Sequence, residues 1–203
     1  KKVLQNNADA DEEHFKIITT GLIDTFTSNW GSVEKSILKS TKSKYLNENE
    51  NAKYPIISHK DLEIIHQKKI EMASSKKLIV AGMIKPIKTF YDSDGDYLPF
   101  VQTFVLNVND FDQKEIEFLY RYLNSNLFTF LLFTKFSGDR VGGGYLSIKK
   151  EMLNQTFFPN RELLQNIALL PKDDIDVLNE KINALFQLDP DEVQIMENFI
   201  FSQ

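Results

Sequence analysis

Residues 112–136 constrain the fold of this chain more than any other segment. Asp112 and Glu115 have the spacing of a helical capping box. Eight apolar residues follow at helical spacing: Ile116, Leu119, Tyr120, Leu123, Leu127, Phe128, Phe130 and Leu131. The polar residues 124–126 interrupt this pattern, which therefore predicts either one long kinked helix or two short helices. In both cases other elements of the fold must cover a wide apolar surface.

The sequence before this helical segment is typical of antiparallel strands. A helix is predicted from residue 58 or 59 to about residue 72. Residues 78–82 then form a short apolar run, residues 87–91 alternate, and residues 97–108 are rich in bulky apolar side chains. The sequence DSDGD at 92–96 predicts a hairpin turn, because Asp-Gly is a favoured turn dipeptide.

The organisation of the whole chain follows from these elements. Two more helices are predicted near the C-terminus, at 174–186 and 189–201, and Asp189 followed by Pro190 is a typical helix start. The pattern predicts an α+β fold with a mostly antiparallel, twisted sheet, a long central helix and a helical C-terminal tail. We expect one domain at 1–160 and a helical extension at 161–203.

Charge is distributed unevenly along the chain, although its net charge is −5. Between residues 53 and 91, eight lysines face three acidic residues, an excess of five positive charges. Residues 173–203 instead hold eight acidic residues against one lysine. Because the distribution of charge matters more than its sum for nucleic-acid binding, the basic middle is compatible with a polyanionic partner. A solvated lysine-rich surface explains the same pattern equally well.

The usual motifs of catalysis and cofactor binding are missing from the sequence. The chain has no cysteine, which excludes disulfides and thiolate nucleophiles. The glycine-rich segment 138–144 matches neither a P-loop nor the G-x-G-x-x-G pattern of dinucleotide-binding proteins. In DSDGD, Gly95 comes too early for an EF-hand and no matching Glu follows. We therefore expect no catalytic residues, no metal site and no cofactor in this chain.

Four segments occur in an order that is typical of one family of DNA-binding domains. They are KKLIVAGMIKPIKTFYD at 76–92, FLYRYLNSNLF at 118–128, GGGYLSIKKEMLNQTFFP at 142–159 and LNEKINALFQLDPDEVQIME at 178–197. The second is similar to an L-L-N-S-x-L helix, and the third to a G-G-Y-x-x-x-K-x-x-L-x-x-x-P-x-P segment. Together they resemble the TaqI-like C-terminal specificity domain of N6-adenine DNA methyltransferases and fused restriction–modification enzymes. The chain departs from the family at Thr25, Ala81 and Gly82, where Arg is common.

The resemblance implies a target-recognition domain that binds duplex DNA and recognises a short sequence. A separate methyltransferase domain of the parent protein would bind S-adenosylmethionine and flip the adenine. The family's catalytic Asn/Asp-Pro-Pro-Tyr/Phe motif is absent, since the chain contains no Pro-Pro dipeptide. The expected partners are double-stranded DNA and the methyltransferase or endonuclease domains of a bacterial parent protein. We expect a cytoplasmic location, because the sequence has no signal peptide and no run of membrane-spanning length.

Nine residues are predicted to contact DNA. The predicted phosphate contacts are Lys85, Lys88, Lys149 and Lys150. The predicted base or groove contacts are Thr89, Arg140, Gly142, Gly143 and Tyr145, since Arg pairs with guanine and Gly lets a backbone approach closely. The alternative is a protein-interaction domain of a restriction–modification or phage-defence complex, which the acidic pI of about 5.3 favours.

Overall fold

A computed structural model describes residues 5–6, 13–32, 54–156, 158–160, 162–163 and 174–202, with the backbone alone for 5–6, 64–68 and 201. The fold is α+β, as predicted, and it combines helices with several small sheets. The part of the predicted extension at 164–173 lies outside the described residues. Within the described part of the chain, no helix is both long enough and apolar enough to cross a membrane.

The described elements are six α-helices, three short 3-10 helices and twelve short strands. The α-helices are α1 (His59–Ser74), α2 (Gln113–Leu123), α3 (Asn126–Lys135), α4 (Lys150–Gln155), α5 (Ile175–Leu185) and α6 (Pro190–Phe201). The strands are β1 (Gln5–Asn6), β2 (His14–Ile18), β3 (Ile23–Asp24), β4 (Thr27–Ser28), β5 (Pro55–Ser58), β6 (Lys77–Ala81), β7 (Met83–Ile84), β8 (Thr89–Asp92), β9 (Tyr97–Pro99), β10 (Thr103–Asn107), β11 (Arg140–Val141) and β12 (Tyr145–Ser147).

The chain divides into two compact units, and each unit is built from two stretches of sequence. The first unit comprises Lys1–Val80 and Phe90–Asn109, and the second comprises Ala81–Thr89 and Asp110–Gln203. The predicted division into a recognition domain at 1–160 and a helical extension at 161–203 that packs on it or on the parent protein stays a prediction.

The first unit is organised around a four-stranded sheet with the order β1-β5-β2-β9. Its strand pairs are antiparallel except for β2 and β9, which run parallel with Ile17 opposite Leu98. The predicted helix α1 is confirmed, and the Ser58 side chain caps it by accepting a hydrogen bond from the Asp61 N–H. One buried cluster joins this helix to the sheet: Phe15, Ile17, Ile57, Leu62, Ala73 and Leu98.

The predicted hairpin at 92–96 is wrong, although the turn itself is present. Strand β8 pairs with β6 in a three-stranded sheet of order β10-β6-β8, whereas β9 pairs with β2. The turn therefore connects two different sheets. The Asp92 carboxylate closes it by accepting hydrogen bonds from the backbone N–H groups of Gly95, Asp96 and Tyr97 at 3.0 to 3.1 Å. Side-chain hydrogen bonding of this kind makes a turn without requiring the flanking strands to pair.

The second unit contains the helical segment that dominates the sequence pattern. The capping box of Asp112 and Glu115 is confirmed. The segment is two helices rather than one long helix, because the Ser125 side chain accepts a hydrogen bond from the Phe128 N–H and starts α3. The Tyr122 ring stacks on Phe118 and Phe186, with centroid distances of 5.8 and 5.5 Å.

The C-terminal helices of this unit also agree with the sequence pattern. Helix α6 begins after Asp189, which forms a capping box with Glu192, and Pro190 is its first residue. Helix α5 begins after Asp174, whose side chain accepts hydrogen bonds from two backbone N–H groups. Both predicted helix starts are confirmed to within one residue.

Candidate nucleic-acid interface

A small antiparallel sheet of order β11-β12-β7 carries two of the predicted DNA-contacting residues, Arg140 and Tyr145, and the turn that joins β11 to β12 carries Gly142 and Gly143. Val141 lies opposite Tyr145, and Ser147 lies opposite Met83. Because side chains alternate along a strand, these four residues share one face of the sheet. Met83, Val141 and Tyr145 are 37%, 41% and 43% exposed. We call Met83, Val141, Tyr145 and Ser147 the exposed sheet face.

The opposite face of the same sheet is packed inside the unit. Leu146 and Ile84 lie opposite each other in the register and are buried. Arg140, which is opposite Leu146, also belongs to this inner face. Its guanidinium carbon lies 5.5 Å from the ring centroid of Phe133 and 5.2 Å from that of Phe199. Arg140 therefore packs on aromatic rings of its own unit.

A glycine turn at 142–144 joins β11 to β12 at one end of the exposed sheet face. Gly143 and Gly144 have φ values of 79° and 77°, a region that side chains other than glycine adopt only with strain. The Lys85 ammonium donates a hydrogen bond to the Gly143 carbonyl oxygen at 3.2 Å. The structure thus brings together Lys85, Gly142, Gly143 and Tyr145, which the sequence pattern had predicted separately.

Lys149 and Lys150 follow β12 after Ile148 and are both exposed. Lys149 forms an ion pair with Asp139, and the two side chains are 59% and 38% exposed. Lys150 is the first residue of α4. Solvent-exposed ion pairs contribute little to stability, so the Lys149 ammonium can exchange its carboxylate partner for another anion at low cost.

Thr89 lies away from this surface. It is fully buried, and the Asn124 side chain bonds both its backbone N–H and its carbonyl oxygen, at 2.8 and 2.9 Å. Its side chain therefore has no exposed surface for contact with a groove. Lys88 is partly exposed, and its carbonyl oxygen accepts a hydrogen bond from the Ala81 N–H at 3.0 Å.

The basic stretch at 53–91 presents less charge than its sequence suggests. Lys77 is fully buried in an ion pair with Asp92. Burial lowers the pKa of Lys77, and the hydrogen bond and charge of Asp92 offset this only in part. Lys69 lies with its ammonium 6.0 Å from the centroid of the Phe100 ring.

Sequence reasoning missed three members of the exposed sheet face, Met83, Val141 and Ser147. Isolated apolar residues carry no signal of exposure, because their exposure depends on which strands pair. In the described residues, no group of three or more His, Asp or Glu side chains could hold a metal ion. A scan against protein-family models and a search of curated proteins found no match to this chain.

Proposed function

We propose that this chain recognises duplex DNA as the specificity domain of a bacterial restriction–modification protein. In this proposal the parent protein is an N6-adenine methyltransferase, with or without a fused endonuclease. The observation that carries the proposal is the exposed sheet face, where Tyr145 and two apolar side chains lie beside exposed lysines. The four sequence segments that resemble TaqI-like specificity domains support the same assignment.

The shape of β11 and β12 suits a DNA groove. They form an antiparallel ribbon with the glycine turn at its tip, and β12 also pairs with β7 along its other edge. A two-stranded ribbon fits the major groove, which is about 12 Å wide. The Tyr145 hydroxyl can donate or accept a hydrogen bond at a base edge, and apolar contact with Val141 suits a thymine methyl group.

The lysines around the ribbon would supply the affinity that does not depend on sequence. Lys85 follows strand β7, Lys149 and Lys150 follow strand β12 after Ile148, and all three lysines are exposed. Lysines that contact phosphates release condensed counterions, which makes binding strongly dependent on salt. Arg140 and Thr89 are not part of the proposed contact surface, because one packs on aromatic rings and the other is buried.

In this proposal, methylation and any cleavage of DNA are carried out by other domains of the parent protein. We propose no catalytic role for the chain, and S-adenosylmethionine would bind to a separate methyltransferase domain. That domain, or an endonuclease domain, would be the protein partner of this chain. The bacterial and cytoplasmic setting is part of the same proposal.

A protein-interaction domain is the second candidate function. Met83 and Val141 favour it, because exposed apolar side chains on one sheet face are typical of protein interfaces. The net charge of −5 also favours a partner other than a polyanion. In this case the exposed sheet face would bind another protein of a restriction–modification or phage-defence complex.

Fluorescence-anisotropy titration of the whole chain with random-sequence duplex DNA, at low and moderate salt, separates the two functions. If Lys149 and Lys150 contact phosphates, Lys149→Glu with Lys150→Glu weakens binding and lowers the slope of log K against log salt by about 1.8. Lys150→Glu alone leaves the Lys149–Asp139 pair intact and gives about half of that change in slope.

The matched control is Lys114→Glu with Lys181→Glu, which makes the same change in net charge at exposed positions of the same unit. It should change the slope much less than the double change at the sheet. Equal effects of the two double variants would show that net charge alone governs binding. Absence of DNA binding at low salt, together with capture of a partner protein that Tyr145→Ala weakens, would favour the protein-interaction function.

A further inference from the structure

The second unit contains a small pocket that, apart from Lys85 at its edge, takes no part in the functions above. Its volume is about 100 Å³. Among the described residues, six line it: Lys85, Pro86, Thr129, Phe133, Phe199 and Ile200. These six are mostly apolar, and Lys85 is the one charged residue among them.

Three separate segments are held together around this pocket. The Thr129 hydroxyl on α3 accepts a hydrogen bond from the Ile87 N–H at 3.3 Å, which ties the connector that contains Pro86 to the helix. Phe199 on α6 lies edge-on to Phe130 on α3, with ring centroids 5.3 Å apart. The walls are therefore fixed by contacts outside the pocket, so that a ligand would not have to order them.

The surroundings of the pocket favour negative charge. The Lys85 ammonium at its edge donates to a neutral acceptor, the Gly143 carbonyl, at 3.2 Å on the exposed surface. The Arg140 guanidinium lies over Phe133 and Phe199, the two aromatic rings of the lining. The six lining residues include no acidic side chain. An apolar lining with two neighbouring cations suits a ligand that has a hydrophobic body and an anionic group.

We propose that this pocket binds a single hydrophobic ring that carries a carboxylate. The ring occupies the space between Pro86, Phe133 and Phe199, and the carboxylate accepts a hydrogen bond from Lys85. The volume is of the same order as the cavity of about 150 Å³ that holds benzene in an engineered protein. A carboxylate is a stronger acceptor for an ammonium than the carbonyl of Gly143, because both partners of the new bond are charged.

Two sources offer this chemistry, a free aromatic acid and a polypeptide that ends in phenylalanine with a free carboxylate. The proposal is argued without any contact to DNA, and its test contains no DNA, so it can hold or fail independently of DNA binding. If the chain also binds DNA through Lys85, ligand and DNA compete for the same ammonium, and each weakens the affinity for the other.

The test is an NMR titration of the whole chain with 3-phenylpropionate and with its neutral amide, 3-phenylpropanamide. We expect the acid to bind with a millimolar dissociation constant, about tenfold more tightly than the amide, and to shift the methyl signals of Thr129 and Ile200. Lys85→Gln should remove the preference for the acid. Lys114→Gln, which removes one exposed lysine charge from the same unit, should leave that preference unchanged.

A tetrapeptide that ends in phenylalanine, with a free or an amidated C-terminus, distinguishes the two sources. Tighter binding of the free peptide than of 3-phenylpropionate supports the proposal with a polypeptide as the source. Binding of the small acid alone supports it with a free acid as the source. Equal affinity for acid and amide, no shift of Thr129 and Ile200, or a Lys85→Gln variant that keeps the preference would overturn the proposal.

Discussion

The first unit contains a buried lysine–aspartate ion pair besides the partly exposed pair of Lys16 with Asp96, whereas a lysine–aspartate pair of the second unit is exposed. Lys77 and Asp92 in the first unit are 0% and 2% exposed, whereas Lys149 and Asp139 in the second unit are 59% and 38% exposed. The buried pair of Lys77 and Asp92 can only support the fold, whereas the exposed pair of Lys149 and Asp139 is accessible to a ligand. Burial, and not residue type, decides between these roles.

The buried pair is surrounded by further hydrogen bonds. The Lys77 ammonium also donates to the carbonyl oxygens of Ala73 and Ser75 at the end of α1. Asp92 accepts three backbone N–H groups of the turn that follows it. A buried ion pair is tolerated only when its remaining polar atoms are satisfied in this way. The pair therefore fastens the 92–97 turn to the end of a helix.

The largest expected effect comes from breaking the buried pair. Lys77→Met leaves the Asp92 carboxylate buried without its cation, and the free energy of unfolding should fall by about 3–5 kcal/mol. Urea denaturation followed by circular dichroism measures this loss. Lys149→Met is the control and should change stability by less than about 1 kcal/mol. Similar losses for the two variants would contradict the difference between the pairs.

A glycine beside the buried pair is expected to have the next largest effect. Gly95 has a φ of 75°, and a Cβ there would overlap the backbone carbonyl of Ser74. Gly95→Ala should therefore cost about 1–3 kcal/mol. Gly138→Ala, near the exposed pair, places its Cβ in open space and should be close to neutral. Melting temperatures of the two variants test this contrast, which fails if both shift by the same amount.

At alkaline pH, the buried Lys77 and the buried Tyr122 of the second unit should change the free energy of unfolding in opposite directions. Burial raises the pKa of Tyr122 above its usual value of 10.0, so the unfolded chain ionises first and stability falls as the pH rises above 10. Lys77 has the opposite effect on stability. Because its pKa is lowered in the folded protein, the unfolded chain keeps this proton to a higher pH, and stability rises with pH until the unfolded chain has lost the proton as well.

Tyr122 alone should contribute a loss of about 1 kcal/mol between pH 10 and 11, which Lys77 offsets in part and which Tyr122→Phe removes. Urea denaturation at each pH measures it, with each variant compared to its own value at pH 8. In Lys77→Met the loss should be larger, since the compensating lysine is gone. An identical pH dependence in all three proteins would rule out both buried groups as its cause.

The smallest effect on stability is expected for the exposed pair. Asp139→Asn should change the free energy of unfolding by no more than about 0.5 kcal/mol, because solvent screens this pair. If Lys149 contacts DNA phosphates, the same change should strengthen DNA binding about twofold to threefold by releasing the ammonium and removing one negative charge. The control is Asp94→Asn, an exposed aspartate in the turn of the first unit. Equal gains in DNA affinity for both variants would indicate an effect of net charge alone.

Several elements of the fold can be predicted without the structure, because their signals are local. The capping boxes at Asp112 and Asp189 set two helix starts through hydrogen bonds within three residues, so that neighbouring residues suffice to predict them. The apolar run at 78–82 predicts strand β6, whose five residues are all buried. The mixture of these helices and strands was enough to predict an α+β fold.

The pairing of the strands and the burial of particular polar side chains depend on tertiary contacts. The DSDGD turn joins two sheets because β9 pairs with β2, a strand about eighty residues earlier in the chain. Lys77 and Thr89 lie in basic and polar sequence that predicts exposure, yet both are buried beside partners distant in sequence, Asp92 and Asn124. The exposed sheet face depends in the same way on the pairing of β12 with β7. Helix caps are short-range hydrogen bonds, whereas strand pairing and burial depend on contacts between distant segments, which no local pattern contains.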